Sequence, residues 1–188
     1  MTLRATALIL IVAAMPYVAA AVSISMPVPA DVQAGLFRSI WKLDRNFDCT
    51  KGVRLGIIYQ ENYFDSLAAK DDFLDVIDRL GPHTIPILIP VQTDQSLTDA
   101  LQRADLDMLY VTPLRAIDVS VIGQISRARR FRTFTGVPEY VEHGIAVGIG
   151  IRRDRPMIIV NLEQARAEGA AFSSQLLALA RIVGTAQQ

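Results

Sequence analysis

The stretch that decides the fold is IAVGIGI at residues 145–151, in which large branched side chains alternate with alanine and glycine. An alternation of period two is typical of a β-strand, and here it leaves one bulky face and one nearly bare face. Residues 152–156 form a charged turn and residues 157–160 are apolar again, which predicts a β-hairpin. Because the glycines lie inside a strand, a closely packed helix explains them better than a dinucleotide-binding loop does.

Upstream of this hairpin, strand patterns alternate with helix patterns. Short runs rich in branched residues predict buried strands, and apolar positions three and four residues apart predict the helices between them. Strands are expected at residues 53–59, 84–91, 107–112 and 131–135, and helices at 33–44, 63–80, 96–104 and 114–130. Pro86 and Pro90 lack backbone donors, so the second strand should lie at an edge of the sheet or be interrupted at its ends.

Downstream of the hairpin, two more helices are expected. Asn161 is a suitable N-cap with Gln164 three residues later, Gly169 follows that helix, and Ser173 or Ser174 starts the last one. The apolar face of the last helix is expected to contain Leu176, Leu177, Ala180 and Val183. We therefore predict an α/β fold: a single-domain three-layer sandwich whose mixed β-sheet carries helices on both faces.

The N-terminus has the three-part pattern of a secretory signal. Arg4 supplies a positive charge, residues 5–14 are uninterruptedly apolar, and small residues cluster around Ala20. This apolar run is shorter than the roughly 20 residues that span a bilayer, and an uncleaved N-terminal anchor is the alternative. We predict a signal peptide at residues 1–20, a linker at 21–30 and the α/β domain at 31–185, and hence an exported protein.

Charge and cysteine content limit the kinds of partner. The sequence has 19 basic and 19 acidic residues, and loss of Arg4 with the signal leaves 18 basic ones. A nearly neutral chain is unsuited to general binding of nucleic acid or of anionic membranes. Cys49 is the single cysteine, so it cannot form a disulfide within the chain. It is a free thiol, half of an intermolecular bridge or a small buried hydrophobe.

No arrangement of residues in the sequence predicts catalysis. The two histidines, His83 and His143, lack the clustered ligands that a zinc site requires. A serine triad would need Ser173 or Ser174 with His143 and an aspartate, but no Gly-x-Ser-x-Gly turn presents either serine. We therefore predict a protein that is not an enzyme and that uses no metal and no cofactor.

Two groups of arginines are candidates for partner binding, with a solvated charged surface as the alternative. One group comprises Arg127, Arg129, Arg130 and Arg132, and the other comprises Arg152, Arg153 and Arg155. We prefer the second group because it lies on the predicted hairpin turn and because arginine suits interface ion pairs. Phe37 and Trp41 are further partner-binding candidates, with core packing as the alternative for an aromatic stripe at helical spacing.

A small-ligand receptor is the alternative function. Open α/β sheets tend to bind ligands in a crevice at the carboxyl ends of their strands. In this chain those ends carry Thr112, Thr135, Gly136 and Glu139, which would line the crevice. The two functions are compatible if a ligand controls partner binding.

Three segments near the C-terminus resemble the YfiR/HmsC-like family of periplasmic proteins. They are GVPEYVEHGI at residues 136–145, IIVNLEQARAEG at 158–169 and FSSQLLALARIV at 172–183. The aromatic first helix and VRLGIIY at residues 53–59 fit the family more loosely. The resemblance implies a periplasmic α/β domain without enzymatic activity.

The resemblance also implies a partner. Well-known members of the family bind the periplasmic sensor domain of an inner-membrane diguanylate cyclase and hold it inactive; relief of that repression raises cyclic di-GMP and promotes biofilm formation. Redox-sensitive members carry pairs of cysteines, which this chain lacks, so disulfide control is not expected here. The family's double glycine is reduced to Gly144 followed by Ile145. Whether the chain forms a homodimer stays open.

Overall fold

Helices and strands alternate along residues 26–48, 50–81 and 83–184, which are the residues that the computed structural model describes. The helices are α1 (Ala30–Lys42), α2 (Phe64–Leu74), α3 (Asp94–Arg103), α4 (Val119–Arg129), α5 (Leu162–Ala167) and α6 (Ser174–Leu179). The strands are β1 (Val53–Tyr59), β2 (Thr84–Pro90), β3 (Met108–Val111), β4 (Arg132–Thr135), β5 (Val147–Arg152), β6 (Arg155–Asn161) and β7 (Arg181–Val183). Short 3₁₀ helices lie at Ile77–Arg79 and Pro138–Val141. The predicted signal peptide and Cys49 lie outside the described residues.

The strands form one mixed sheet in the order β2-β1-β3-β4-β5-β6-β7. β5 and β6 pair antiparallel as the predicted hairpin, and the other neighbouring strands pair parallel. One hydrophobic cluster lies between the sheet and α1, α2 and α6, and a second lies between the opposite face and α3 and α4. Helices cover both faces because the central strands are apolar on both sides. The predicted three-layer α/β class is therefore confirmed.

An aromatic cluster fills the core beneath α1. Phe37 packs against Phe134 with ring centroids 4.4 Å apart, and Tyr110 stacks on Phe73 at 3.7 Å. Trp41 meets Phe134 edge-on at 5.4 Å. Full burial of a large apolar side chain stabilises a fold by about 1.5–3 kcal/mol, so these contacts hold α1 firmly on the sheet.

The bare face of β5 is covered as its glycines predict. A Cβ atom placed on Gly148 would overlap the side chain of Val141, and one on Gly150 would lie 3.2 Å from Pro138. Both neighbours belong to the 3₁₀ helix Pro138–Val141. The expected close packing of a helix on this face is confirmed, and the helix is a short 3₁₀ helix.

The prolines of β2 occupy the positions that face away from its only neighbour. β2 is an edge strand, as its sequence predicts. The amide of Val53 donates to the carbonyl of His83, and that of Val91 donates to Tyr59, so the odd-numbered residues of β2 bond to β1. The even-numbered positions, which include Pro86 and Pro90, therefore face away from β1. At these two positions the proline has no N–H group to offer to another strand. The open edge of the sheet is blunted against pairing with another strand.

The bounds of five predicted helices differ from the structure. α1 spans Ala30–Lys42, where residues 33–44 were predicted. α4 starts at Val119 and not at residue 114, because Asp118 caps it by accepting a hydrogen bond from Ser120 N. The predicted helix 63–80 divides into α2 and the 3₁₀ helix Ile77–Arg79. Thr93, and not Ser96, is the N-cap of α3, with the Ser96 hydroxyl completing a reciprocal capping box. The fifth difference concerns the C-terminus.

The last helix is shorter than predicted, and a seventh strand follows it. α6 ends at Leu179, Ala180 adopts an extended conformation, and Arg181–Val183 pairs parallel with β6. Leu176 lies in the core as expected, whereas Ile182 and Val183 belong to the sheet edge. Branched residues fit a strand at least as well as a helix, and the free edge of β6 offers hydrogen bonds that a longer helix would leave unmade.

Candidate functional site

The predicted crevice lies at the carboxyl ends of β1, β3 and β4. β2 and β3 flank β1 on opposite sides, so the loops that follow β1 and β3 lead to opposite faces of the sheet. Open α/β sheets bind ligands at such a point. Thr112, Thr135 and Gly136 come together there, and all three are buried. Glu139 is exposed and lies outside the group, on the 3₁₀ helix Pro138–Val141.

The threonine hydroxyls of the crevice already donate to neighbouring strands. Thr112 donates to the carbonyl of Ile58 at 2.8 Å and shares a 2.7 Å hydrogen bond with the Ser66 hydroxyl. Thr135 donates to the carbonyl of Val111 at 2.7 Å and accepts a bond from Val137 N at 3.0 Å. These side chains tie neighbouring elements together, and in this conformation neither hydroxyl has a hydrogen left to donate to a ligand.

The loop after β3 is clamped by two side chains that the sequence did not single out. Gln60 pairs with the backbone of Arg115 through both amide atoms, donating at 3.0 Å and accepting at 2.5 Å. The Tyr140 hydroxyl accepts from Leu114 N at 2.8 Å and donates to Leu114 O at 3.1 Å. Burial raises the pKa of Tyr140 to about 12, so it remains a neutral donor. Both clamps bind backbone atoms, and no local pattern in the sequence indicates them.

The chain's own N-terminal residues fill the remaining space over Gly136. We call residues 26–29 the N-terminal strap. A Cβ atom on Gly136 would lie 2.5 Å from Gln33 Oε1 and 2.7 Å from Met26 Sδ. The Tyr110 hydroxyl donates to Gln33 Oε1 at 3.0 Å and lies 3.4 Å from Met26 Sδ. Gln33 Nε2 in turn donates to the carbonyl of Val28 at 2.7 Å.

The three predicted partner-binding arginines lie at the exposed tip of the β5–β6 hairpin. Arg152 and Arg155 form the last pair of the ladder, and Arg153 and Asp154 make the turn. Both turn residues have positive φ, 51° and 59°, as a type I′ hairpin turn requires. Within the described part of the chain, none of these three arginines forms an ion pair. Their guanidinium groups are therefore open to a partner.

A surface groove of about 560 Å³, which we call the hairpin groove, is lined by apolar side chains together with Arg152 and Arg181. It is lined by Leu36, Arg152, Pro156, Met157, Ile158, Ala178, Leu179, Ala180 and Arg181. Leu179 is 71% exposed, and Ile151 on β5 is 46% exposed. The sequence did not predict this groove, because one of its walls depends on where α6 ends and β7 begins.

Phe37 and Trp41 are buried in the aromatic cluster, with 0% and 4% of their surfaces exposed. Neither side chain offers a surface to a partner. Their position therefore does not support the prediction that they bind a partner. Both are core residues, which was the alternative interpretation. The other arginine group is dispersed: Arg132 pairs with Asp44 at 3.2 Å, while Arg127 and Arg129 bond to Gln164 and to backbone carbonyls.

Glu168 is a buried carboxylate that the sequence did not single out. It accepts hydrogen bonds from the Thr133 amide at 2.9 Å and hydroxyl at 2.6 Å, from Ser126 Oγ at 2.8 Å and from Gln164 Nε2 at 2.8 Å. Burial raises its pKa to about 7, although these donors act in the opposite direction. The donors come from α4, β4 and α5, so the carboxylate links three elements. The Gln164 side chain thus bonds to Glu168. It does not bond back to the backbone of Asn161, as a capping box would require, although the Asn161 side chain still caps α5.

The candidate metal ligands and the candidate serine Ser173 are accounted for as follows. The described residues contain no group of three or more His, Cys, Asp or Glu side chains that could hold a metal ion. Ser173 caps α6, with its hydroxyl accepting from Leu176 N at 3.3 Å. A hydroxyl in that position stabilises the helix terminus.

Comparison with known proteins identifies the family. The sequence model of the YfiR/HmsC-like family matches residues 59–181. The chain belongs to the YfiR/HmsC-like family. The resemblance seen in the C-terminal segments is thereby confirmed, and the match extends upstream to the end of β1. This family is regulatory and in general periplasmic. Across the residues whose positions are described, no helix is long and apolar enough to cross a membrane.

Solved structures with a similar fold include a domain in complex with L-Trp and a substrate binding protein. One is the ABC domain from Streptococcus pneumonia in complex with L-Trp, with a TM-score of 0.65, 11% identity, and coverage of 82% of this chain and 62% of that one. Another is CD0873, a substrate binding protein with adhesive properties from Clostridium difficile, with a TM-score of 0.62, 15% identity, and coverage of 84% and 60%. This YfiR/HmsC-like chain spans about three fifths of their length. No curated protein matches its sequence. At these identities the likeness shows the fold alone.

Proposed function

We propose that this YfiR/HmsC-like chain is a periplasmic regulatory protein that binds an inner-membrane signalling protein, as repressors of diguanylate cyclases do. The observation that carries the proposal is membership of a regulatory family over residues 59–181. The predicted signal at residues 1–20 is consistent with the required location. The chain would act by binding and not by catalysis.

The state of the crevice supports recognition through a surface. Its threonines are engaged by neighbouring strands, its loop is clamped by Gln60 and Tyr140, and Met26 and Gln33 fill the space over Gly136. The alternative function, a periplasmic small-ligand receptor, requires the N-terminal strap to move first.

The hairpin tip is the surface that we assign to the partner. Arg152, Arg153 and Arg155 are exposed beside the hairpin groove, and arginine next to exposed apolar side chains is typical of interfaces. The turn is already formed in the structure, with Arg153 and Asp154 both at positive φ. A pre-formed turn loses little entropy when it binds. The partner's matching surface should carry carboxylates around an apolar centre.

Co-purification from solubilised membranes tests the proposal. The full chain with a C-terminal affinity tag is compared with the variant Arg152→Glu/Arg155→Glu and with the control Lys51→Glu/Arg103→Glu. The control makes the same change of charge at side chains that are 82% and 79% exposed elsewhere on the molecule. We expect the parent and the control to recover an inner-membrane signalling enzyme and the hairpin variant to recover at least tenfold less, about 1.4 kcal/mol of binding free energy.

Deletion of the gene tests the regulatory part of the proposal. If the partner is a diguanylate cyclase that the chain holds inactive, deletion should raise the level of cyclic di-GMP. Reintroducing the wild-type gene should lower that level again. Recovery of no membrane enzyme, together with unchanged cyclic di-GMP in the deletion strain, would refute the proposed function.

A further inference from the structure

We propose that a cleft at the amino ends of β1, β3 and β4 binds a small molecule with one carboxylate group and an apolar body, and that Arg130 and Arg132 hold the carboxylate. This inference goes beyond the proposed function, because the partner-binding hairpin follows the carboxyl end of β5 and lies at the opposite edge of the sheet. It rests on one arginine that has no counterion and on a second that is fixed in place beside it.

The cleft has a volume of about 450 Å³, which is within the range of small-molecule sites. Four of its lining residues are cationic and two are anionic, so we call it the basic cleft. These charged residues are Lys51, Arg54, Arg130, Arg132, Asp48 and Asp107. Because the chain as a whole has no net charge, the excess of positive charge is local.

The two carboxylates of the basic cleft are matched by cations of their own. Asp107 accepts hydrogen bonds from Arg54 Nε at 3.0 Å and from Arg54 Nη2 at 2.9 Å. These hydrogen bonds lower the pKa of Asp107, so the pair stays ionised at neutral pH. Asp48 Oδ2 lies 3.6 Å from Lys51 Nζ. The excess of positive charge therefore belongs to the other two arginines.

Arg130 forms no ion pair with any other described residue. Its backbone ends α4 in the left-handed conformation, with φ 60° and ψ 38°. Glycine is the usual residue in this conformation at the end of a helix, because it has no Cβ to strain. Strain of this kind is concentrated where a side chain is needed for function, which favours a use for the Arg130 guanidinium.

Arg132 is held in place by its neighbours. Only 16% of its side chain is exposed, and its Nε donates to Asp44 Oδ2 at 3.2 Å. Its Nη2 donates to the carbonyls of Asn46 and Gly169, both at 3.2 Å, and the guanidinium lies over the Phe47 ring, 5.4 Å from the centroid. Nη1 makes no hydrogen bond within the described part of the chain. One edge of a fixed guanidinium is therefore left for a ligand.

The two guanidinium groups converge next to Gly169. A Cβ atom placed on this glycine would lie 3.6 Å from Arg130 Nε and 3.9 Å from Arg132 Nη1. An anion between two such groups relieves their mutual repulsion. A carboxylate suits this position, because each of its oxygens can accept from a different guanidinium and its single charge offsets that of Arg130. The half-buried ring of Phe47 lines the same cleft and provides an apolar wall for the rest of the molecule.

Benzoate is the probe, because it combines one carboxylate with an apolar ring. Its binding to the full chain is measured by isothermal titration calorimetry at constant ionic strength, with acetate and benzyl alcohol for comparison. We expect saturable binding of benzoate, at least fivefold weaker binding of acetate, and no saturable binding of benzyl alcohol, which has no charge. The inference is overturned if benzoate does not bind saturably or if benzyl alcohol binds as tightly. Equal affinities for acetate and benzoate would overturn the assignment of an apolar body.

The variant Arg130→Gly separates loss of binding from loss of folding. Glycine adopts the left-handed conformation freely, so the variant should stay folded with a Tm no lower than that of the wild type, while benzoate binds at least tenfold more weakly. Arg103→Gln is the control, since it removes one charge from a side chain that is 79% exposed on α3, and it should bind benzoate as the wild type does. If Arg130→Gly binds within twofold of the wild type, or if both variants lose binding equally, Arg130 does not hold the carboxylate.

Backbone amide NMR shifts locate the bound probe. At a saturating concentration of benzoate, the signals of residues 46–48, 51–53 and 130–132 should move, and those of the hairpin residues 151–156 should not. Shifts concentrated at the hairpin would place benzoate on its exposed arginines and would overturn the basic cleft as the site.

Discussion

Glu168 is the residue whose environment departs most from that of a free side chain. The carboxylate is buried with four donors around it, and its pKa is raised to about 7 from an ordinary value of 4.5. In the folded state it therefore binds its proton more tightly than in the unfolded chain. Stability from this group is fully present below pH 4.5 and is lost as the pH rises through 7.

We expect the free energy of unfolding to fall as the pH rises from about 5 to about 8, by up to ~3 kcal/mol from Glu168 alone. In Glu168→Gln, which cannot ionise, this dependence should disappear. Urea unfolding at several pH values measures it, with Glu142→Gln as an exposed control. A Glu168→Gln variant that retains the full slope would assign the dependence to another group.

Gly148 is the position where close packing is tightest on β5. Alanine there would overlap the side chain of Val141, so Gly148→Ala should cost about 1–3 kcal/mol of stability. Gly35→Ala, in the open interior of α1, should instead stabilise by about 0.5–1 kcal/mol. The double variant Val141→Ala/Gly148→Ala should recover part of the loss, because the overlapping atoms are removed. Additive effects of the two substitutions in denaturant unfolding would contradict the packing explanation.

Predictability at the residue scale depends on how local the signal is. The alternation at residues 145–151 predicted a bare strand face, and Gly148 and Gly150 are packed as expected. Glu168 could not be singled out, since its partners Ser126 and Thr133 lie 42 and 35 residues away in sequence. Thr112 and Thr135 were correctly placed at the strand ends. The covering of Gly136 by Met26 could not be predicted, because the two residues are 110 positions apart in sequence.

At the element scale, β2 shows how an exposed apolar strand is kept from pairing. Ile85 and Leu88 are 54% and 45% exposed, and the outward positions Pro86 and Pro90 have no donors. We expect Pro86→Val/Pro90→Val to restore two outward donors and to cause association that grows with protein concentration. Light scattering measures this, and Thr84→Val is the control, because it changes an outward residue without adding a donor. If the double variant stays as monodisperse as the wild type, the prolines do not protect the edge.

The elements were predicted well where apolar periodicity and turn residues agree. The strand positions, the hairpin and the edge location of β2 follow from the sequence. The ends of helices were less predictable: residues 114–118 are apolar enough for a helix, but Gln60 and Tyr140 hold them as a loop. β7 was missed because Ile182 and Val183 suit both a helix face and a strand, and only the free edge of β6 decides between them.

For the whole molecule, charge is balanced overall and concentrated locally. The formal net charge is zero, so long-range attraction of a partner depends on patches such as the hairpin arginines. We expect recovery of the membrane partner to fall as NaCl rises from about 0.05 M to about 0.5 M, because exposed ion pairs are screened. For Arg152→Glu/Arg155→Glu the residual recovery should not fall with salt and should rise slightly, because the new glutamates repel the partner's carboxylates and salt screens that repulsion. A salt dependence that is unchanged in this variant would place the contact elsewhere.

The prolines of β2 also limit how copies of this molecule can associate. A sheet with two open edges can add strands indefinitely, since each new copy presents a fresh edge for the next. Here one edge is blunted at Pro86 and Pro90, and β7 is the other. Within the described sheet, copies that join edge to edge should therefore meet β7 to β7, about a two-fold axis, and the outer edges of such a pair are the two blunted β2 strands. The fold permits a closed dimer by this route and disfavours a filament.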